Sequence, residues 1–128
     1  MVELLKKAGY SEKAIDYYMR KLNVGVIEGA EAVDSYTGLC GDSMKVYLKV
    51  EEGVIKDAKF QAIGCAGAFA SGSALTEMVK GKTLKEAEKL TEKDVIKELE
   101  ELPGPKLHCA RLAVDALRKS IEGYLEKS

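Results

Sequence analysis

Apolar residues recur along this chain in two rhythms, one close to the turn of a helix and one alternating like a strand. Behind Ser11, whose hydroxyl can cap a helix, Ile15, Tyr18, Met19 and Leu22 fall at i, i+3, i+4 and i+7, which predicts a helix over about Glu12 to Lys21. Between Asn23 and Asp42 no periodicity persists. Gly25, Gly29, Gly38 and Gly41 punctuate this stretch, leaving room for one short strand near Ala32 to Tyr36. Met44, Val46, Leu48 and Val50 then alternate with Lys45, Tyr47, Lys49 and Glu51, the pattern of a half-buried strand. Glu52-Gly53 supplies a turn, and VIKDAKFQAI returns with Val54, Ala58, Phe60 and Ala62 on one face and Asp57, Lys59 and Gln61 on the other. An antiparallel hairpin with one wet face is expected.

After Gly64-Cys65 the side chains become small. Phe69, Leu75, Met78 and Val79 suggest a closely packed helix that ends at Gly81. Thr83 with Glu86 and Thr91 with Asp94 have capping-box spacing and predict two short helices, the second with Val95 and Leu99 inward. Leu102-Pro103-Gly104-Pro105 bars helix continuation. Beyond it Leu107, Ala110, Val114, Leu117, Ile121 and Tyr124 predict a long last helix over about Lys106 to Leu125.

Composition narrows the picture. The chain has 128 residues, of which 46% are hydrophobic, and 20 basic against 21 acidic side chains leave a formal net charge of −1. One domain spanning 1–128 is expected, large enough for a core without disulfide staples. Interspersed Lys and Glu create no positive field for phosphate backbones or acidic membranes, so neither nucleic acid nor membrane is an expected partner. The apolar stretches of MVELLKKAGYSEK are short for a signal peptide, and no run approaches the roughly 18 residues of a membrane span, so a cytoplasmic location is expected. Three cysteines, an odd number, fit reduced thiols better than a secreted disulfide framework.

Their positions carry the candidate chemistry. Cys40 lies in a Gly-flanked loop, Cys65 between a strand and a helix, and Cys109 in the first turn of the last helix; none occupies a plain core position on the pattern alone. Helix N-termini stabilise a thiolate at Cys65 and Cys109, and Lys106 adds to the effect. Asp42 and His108, the only histidine, sit beside cysteines. Three thiolates, a carboxylate and an imidazole suit zinc, copper(I) or an iron-sulfur cluster. A cysteine transferase with Cys109 as nucleophile and His108 as base is a rival, weakened because helix neighbours point about 100° apart.

The succession CGDSMKVYLKV, GCAGAFASGSALTEMVKGKTLKEA and LPGPKLHCARLAVDAL resembles the IscU/NifU N-terminal family of iron-sulfur cluster assembly scaffolds, over about residues 14 to 126. The resemblance implies an α+β fold, with a small antiparallel sheet of about three strands against helices, and a site built from Cys40, Asp42, Cys65, His108 and Cys109. It implies a scaffold rather than an enzyme, one that gathers iron and desulfurase-derived sulfur into a [2Fe-2S] cluster. The implied partners are a pyridoxal-phosphate cysteine desulfurase of IscS/NifS type and apo-proteins or carriers that receive the cluster; a homodimer stays open. Leu102-Pro103-Gly104-Pro105-Lys106 replaces the Leu-Pro-Pro-Val-Lys segment that bacterial relatives present to an Hsp70-type chaperone. The alternative branch is the zinc-binding sulfur acceptor of SufU type, with zinc in place of the cluster. That branch carries an insertion between the second and third cysteines, and no obvious excess occurs here.

Overall fold

Among the described residues, six helices and a three-stranded sheet make up the fold: α1 Val2–Lys7, α2 Glu12–Arg20, β1 Ala32–Thr37, β2 Ser43–Glu51, β3 Val54–Ile63, α3 Ala66–Val79, α4 Leu84–Glu88, α5 Glu92–Glu98 and α6 Leu107–Lys127, with a 3-10 turn at Gly104–Lys106. The computed structural model describes residues 2–38 and 41–127, apart from the side chains of Pro105 and Lys127. The strands lie in the order β1-β2-β3, antiparallel throughout. This is the α+β architecture expected.

Ser11 caps α2 by accepting from the Ala14 amide at 3.0 Å, and its own hydroxyl donates to the Leu99 carbonyl, tying α2 to the end of α5. The Tyr17 hydroxyl donates to Glu98 at 2.9 Å and Lys13 pairs with the same carboxylate at 2.9 Å. The buried stripe of α2 is Ala14, Ile15 and Tyr17, and Met19, expected to face inward, is exposed. The short α1 was not expected from the pattern. Six residues rarely hold a helix alone, and tertiary contact supplies the difference through buried Leu5, whose carbonyl accepts from the Tyr10 amide. Both capping boxes form: Thr83 with Glu86 and Thr91 with Asp94.

The hairpin differs in phase from the alternation. Between Lys49 and Val50 the β2–β3 register shifts, so that Lys49 faces Asp57 but Val50 faces Ile55. The irregularity turns Ile55 fully inward, at 0% exposure, and leaves Val54, expected inside, only half-buried. Tyr47, expected on the wet face, is buried; its hydroxyl donates to Gln61 at 2.7 Å and the Lys45 ammonium sits over its ring. An aromatic ring with a satisfied hydroxyl can be covered by neighbouring long side chains without a core position.

Helix α3 is enclosed on nearly every side, by β3, α2 and α6. Small residues allow this: a Cβ built on Gly72 would stand 2.5 Å from the Phe60 ring, so only glycine lets the helix seat there. Helix α6 crosses β1 and β2 and buries Ala110, Ala113, Leu117 and Ile121, while Leu107, the first residue of the expected stripe, stays exposed. The Ser120 hydroxyl donates to the Val46 carbonyl at 3.0 Å and fixes α6 along the sheet. Gly72→Ala should therefore lower the free energy of unfolding by about 1–3 kcal/mol through overpacking. Urea unfolding checks this, and an unchanged midpoint would contradict the packing argument.

Candidate metal centre

The end of β3, the start of α3, the loop before β2 and the first turn of α6 meet at one edge of the molecule. Cys65 is the N-cap of α3, with extended backbone, and Cys109 lies in the first turn of α6. Their sulfurs are 3.6 Å apart. His108 Nε2 is 3.7 Å from the Cys109 sulfur and 3.8 Å from Asp42 Oδ2. One ligand atom each from Asp42, His108 and Cys109 lies within 4.8 Å of the others, a span a single small ion or cluster can bridge. Thus four of the five residues singled out in the sequence come together. The fifth, Cys40, lies outside the described residues. Its flanks are held: the Gly38 amide donates to the Asp42 carbonyl at 2.7 Å, and the Gly41 amide donates to the Gly38 carbonyl at 3.1 Å.

Two glycines make the approach feasible. A Cβ on Gly64 would stand 3.1 Å from the Asp42 carboxyl carbon, so the bare backbone there admits the carboxylate. A Cβ on Gly67 would stand 3.1 Å from the Cys109 sulfur, 3.2 Å from the Tyr10 hydroxyl and 3.4 Å from Lys106 Cβ. Neither glycine, nor Tyr10, was singled out by sequence reasoning. Periodicity cannot flag a residue whose contribution is an absent side chain or a contact across about a hundred residues.

The two thiols share their proton unequally. Cys65 is held well below the ordinary thiol range, first by the hydrogen bond it accepts from Cys109; burial opposes this, and the Ala68 and Gly67 amides and the Lys106 charge add to it. Cys109 is pushed up, because its proton serves that hydrogen bond, because it is buried, and because the charges of Cys65 and Asp42 repel a second anion. The expectation of a thiolate at both helix starts holds for Cys65 alone. Cys109 does lie in the first turn of the last helix, yet it is a core residue at 0% exposure, which the pattern did not show. That also disfavours the transferase reading: His108 does touch Cys109, but a buried sulfur that keeps its proton is a poor nucleophile.

Beside the cysteines opens a cleft of about 430 Å³ lined by Tyr36, Asp42, His108, Arg111, Leu112 and Asp115. Two of the candidate ligands therefore face solvent while Cys109 backs onto the core.

The NifU-like N terminal domain model matches residues 9–128. The chain belongs to this family. It is 47% identical over 120 residues to the iron-sulfur cluster assembly scaffold protein IscU 1 of Archaeoglobus fulgidus, covering 93% of this chain and 78% of the relative. The scaffold protein IscU of Escherichia coli is 44% identical over 124 residues, covering 92% of this chain and 95% of the relative. Among solved structures, a candidate SUF-system scaffold protein from Fervidobacterium islandicum AW-1 superposes with a TM-score of 0.73 at 28% identity, covering 88% of this chain and 96% of that one. Among the described residues no helix is long and apolar enough to cross a membrane.

Burial and the shared proton predict unequal reactivity in the metal-free protein. Iodoacetamide should modify Cys65 before Cys109, and the Cys65 rate should stay nearly flat from pH 6 to pH 8, where an ordinary thiol gains about tenfold per unit. Site-resolved mass spectrometry reads both, and preferential labelling of Cys109 would contradict the assignment.

Proposed function

We propose that this chain is a scaffold on which an iron-sulfur cluster is assembled and from which it is handed on, with the cluster as cargo. One observation carries the reading: in a chain of this family, two sulfurs from elements far apart in sequence meet at 3.6 Å, with a carboxylate and an imidazole within reach. The donor set fits the cargo. Thiolates suit iron-sulfur units, and Asp42 or His108 gives one place a harder or neutral ligand that exchanges more readily than a fourth thiolate. We assign Cys40, Cys65 and Cys109 as the thiolate ligands, with Asp42 or His108 in the fourth place and a [2Fe-2S] unit as the form held.

Sulfur would come from a pyridoxal-phosphate cysteine desulfurase as the outer sulfur of a persulfide, and an external two-electron reductant would release it as sulfide and restore the thiol. We assign the Cys40 thiolate as the acceptor. The product would pass to apo-proteins or carriers. Lys106 supports the thiolates, since its charge lowers both. A second reading is a zinc-bound sulfur acceptor, which the compact grouping of Asp42, His108 and Cys109 favours. Colour separates the two, because a [2Fe-2S] protein is red-brown and a zinc site is colourless.

Anaerobic loading with ferrous iron and sulfide, followed by iron, sulfide and zinc analysis with a visible spectrum, should give a coloured protein containing both iron and sulfide. Asp42→Cys, which supplies a fourth thiolate, should slow loss of the cluster to a chelator by about tenfold or more. A colourless, zinc-only product would overturn the scaffold reading, and an unchanged loss rate would overturn the argument that a hard fourth ligand eases release.

A further inference from the structure

The cleft beside the metal centre has polar groups that the proposed ligand set leaves unused. Its buried side is Leu112, packed against Gly38, where a Cβ would stand 3.6 Å from the leucine side chain. Tyr36 adds an aromatic ring to the lining, and Asp42 and His108 mark the end that meets the sulfurs. Farther along α6 the lining carries Arg111 and Asp115, a cation and an anion one helical turn apart. Arg111 Nε stands 3.8 Å from Asp115 Oδ2, too far for a hydrogen bond, and a solvent-facing pair of this kind holds its partners only weakly. Among the described residues nothing hydrogen-bonds to the Arg111 guanidinium, the Asp115 carboxylate or the Tyr36 hydroxyl. A volume of about 430 Å³ with apolar sides and a few convergent polar groups has the character of a small-molecule site.

The lining defines such a molecule from both ends. At one end the guanidinium fork matches a carboxylate and the Asp115 carboxylate matches an ammonium, so the two together fit the zwitterionic head of an α-amino acid. At the other end, the cluster's fourth place is held by Asp42 or His108, harder ligands that a thiolate can displace from iron. Arg111 lies three residues and Asp115 seven residues beyond His108, which along a helix is roughly 5–10 Å. Free cysteine is too short to bridge that distance, whereas a cysteine carrying its amino-acid head on a γ-glutamyl arm spans it.

We propose that this cleft binds a small peptide thiol with an α-amino-acid head, which pairs with Arg111 and Asp115 while its sulfur displaces the fourth ligand of the cluster. This rests on the scaffold reading above. In the exchange the thiol gives its proton to solvent, a sulfur–iron bond forms, and the iron bond to the Asp42 oxygen or the His108 nitrogen breaks. No electrons change hands. The cleft is then an exit route, from which the cargo leaves with an external thiolate already attached.

The test uses the full chain with γ-glutamylcysteine as the probe. In the metal-free protein, anaerobic titration followed by amide NMR should give saturable shifts at Tyr36, Gly38, Arg111, Leu112 and Asp115. S-methyl-γ-glutamylcysteine, which keeps the head and lacks the thiol, should bind equally well. Arg111→Gln should weaken both by about tenfold or more, the loss of a charge-assisted hydrogen bond. In protein loaded with ferrous iron and sulfide, γ-glutamylcysteine should speed cluster release with a rate that saturates, and the S-methyl analogue should inhibit this. With 2-mercaptoethanol, which lacks the head, the rate should rise linearly with concentration. Absence of saturable shifts in wild type, or undiminished binding to Arg111→Gln, would overturn the site. Binding without faster release would overturn the exit route and leave the scaffold reading intact. If wild type takes up no iron and sulfide, the scaffold reading fails instead, and the metal-free titration still decides whether the cleft holds the amino-acid head.

Discussion

The close seating of α3 is the constraint from which the rest of the molecule follows. An enclosed helix must present small residues to several neighbours at once, and this one does so with Gly67, Ala68, Ala70, Gly72 and Ala74. At its middle, Gly72 lets the Phe60 ring lie against the helix backbone; at its start, Gly67 lets Cys109, Tyr10 and Lys106 converge. The packing that holds the core together therefore also sets how near the sulfurs come. A shift of α3 by the width of a methyl group would be felt in the site, because protein interiors are close-packed and transmit such displacements.

The chemistry of the site follows from one edge being half wet. Cys109 is enclosed by the core and keeps its proton, while Cys65, at a helix start and facing a donor, gives its proton up. Asp42 and His108 meet across 3.8 Å on the solvent side, along the cleft. The centre thus has an inner sulfur wall and an outer polar one. Asp42 and His108 are therefore the candidate ligands that an incoming molecule would meet first.

Much of the fold was legible because each element carried its own local signal. Ser11, the two capping boxes, the alternation from Met44 to Val50 and the proline corner each specify a boundary without reference to the rest of the chain. What escaped was set by tertiary contact. Helix α1 is too short to announce itself, Ile55 turns inward only because the hairpin register shifts, and Tyr47 is covered only because Lys45 and Gln61 fold over it. The site divides the same way. Residue type picked out Asp42, Cys65, His108 and Cys109, but unequal proton sharing between two thiols depends on their distance and burial, which no spacing reveals. Tyr10 and Gly67 are visible only once α3 has been placed.

The sulfurs of Cys65 and Cys109 come from positions 44 residues apart, and the second sits on the helix that completes the sheet's cover. A nascent chain leaving the ribosome holds Cys65 well before α6 exists, so for that interval its thiols are isolated groups with no common ligand to clasp. Only in the finished and docked chain do the two sulfurs stand side by side, so the site is a product of tertiary closure and is absent from any shorter, growing chain.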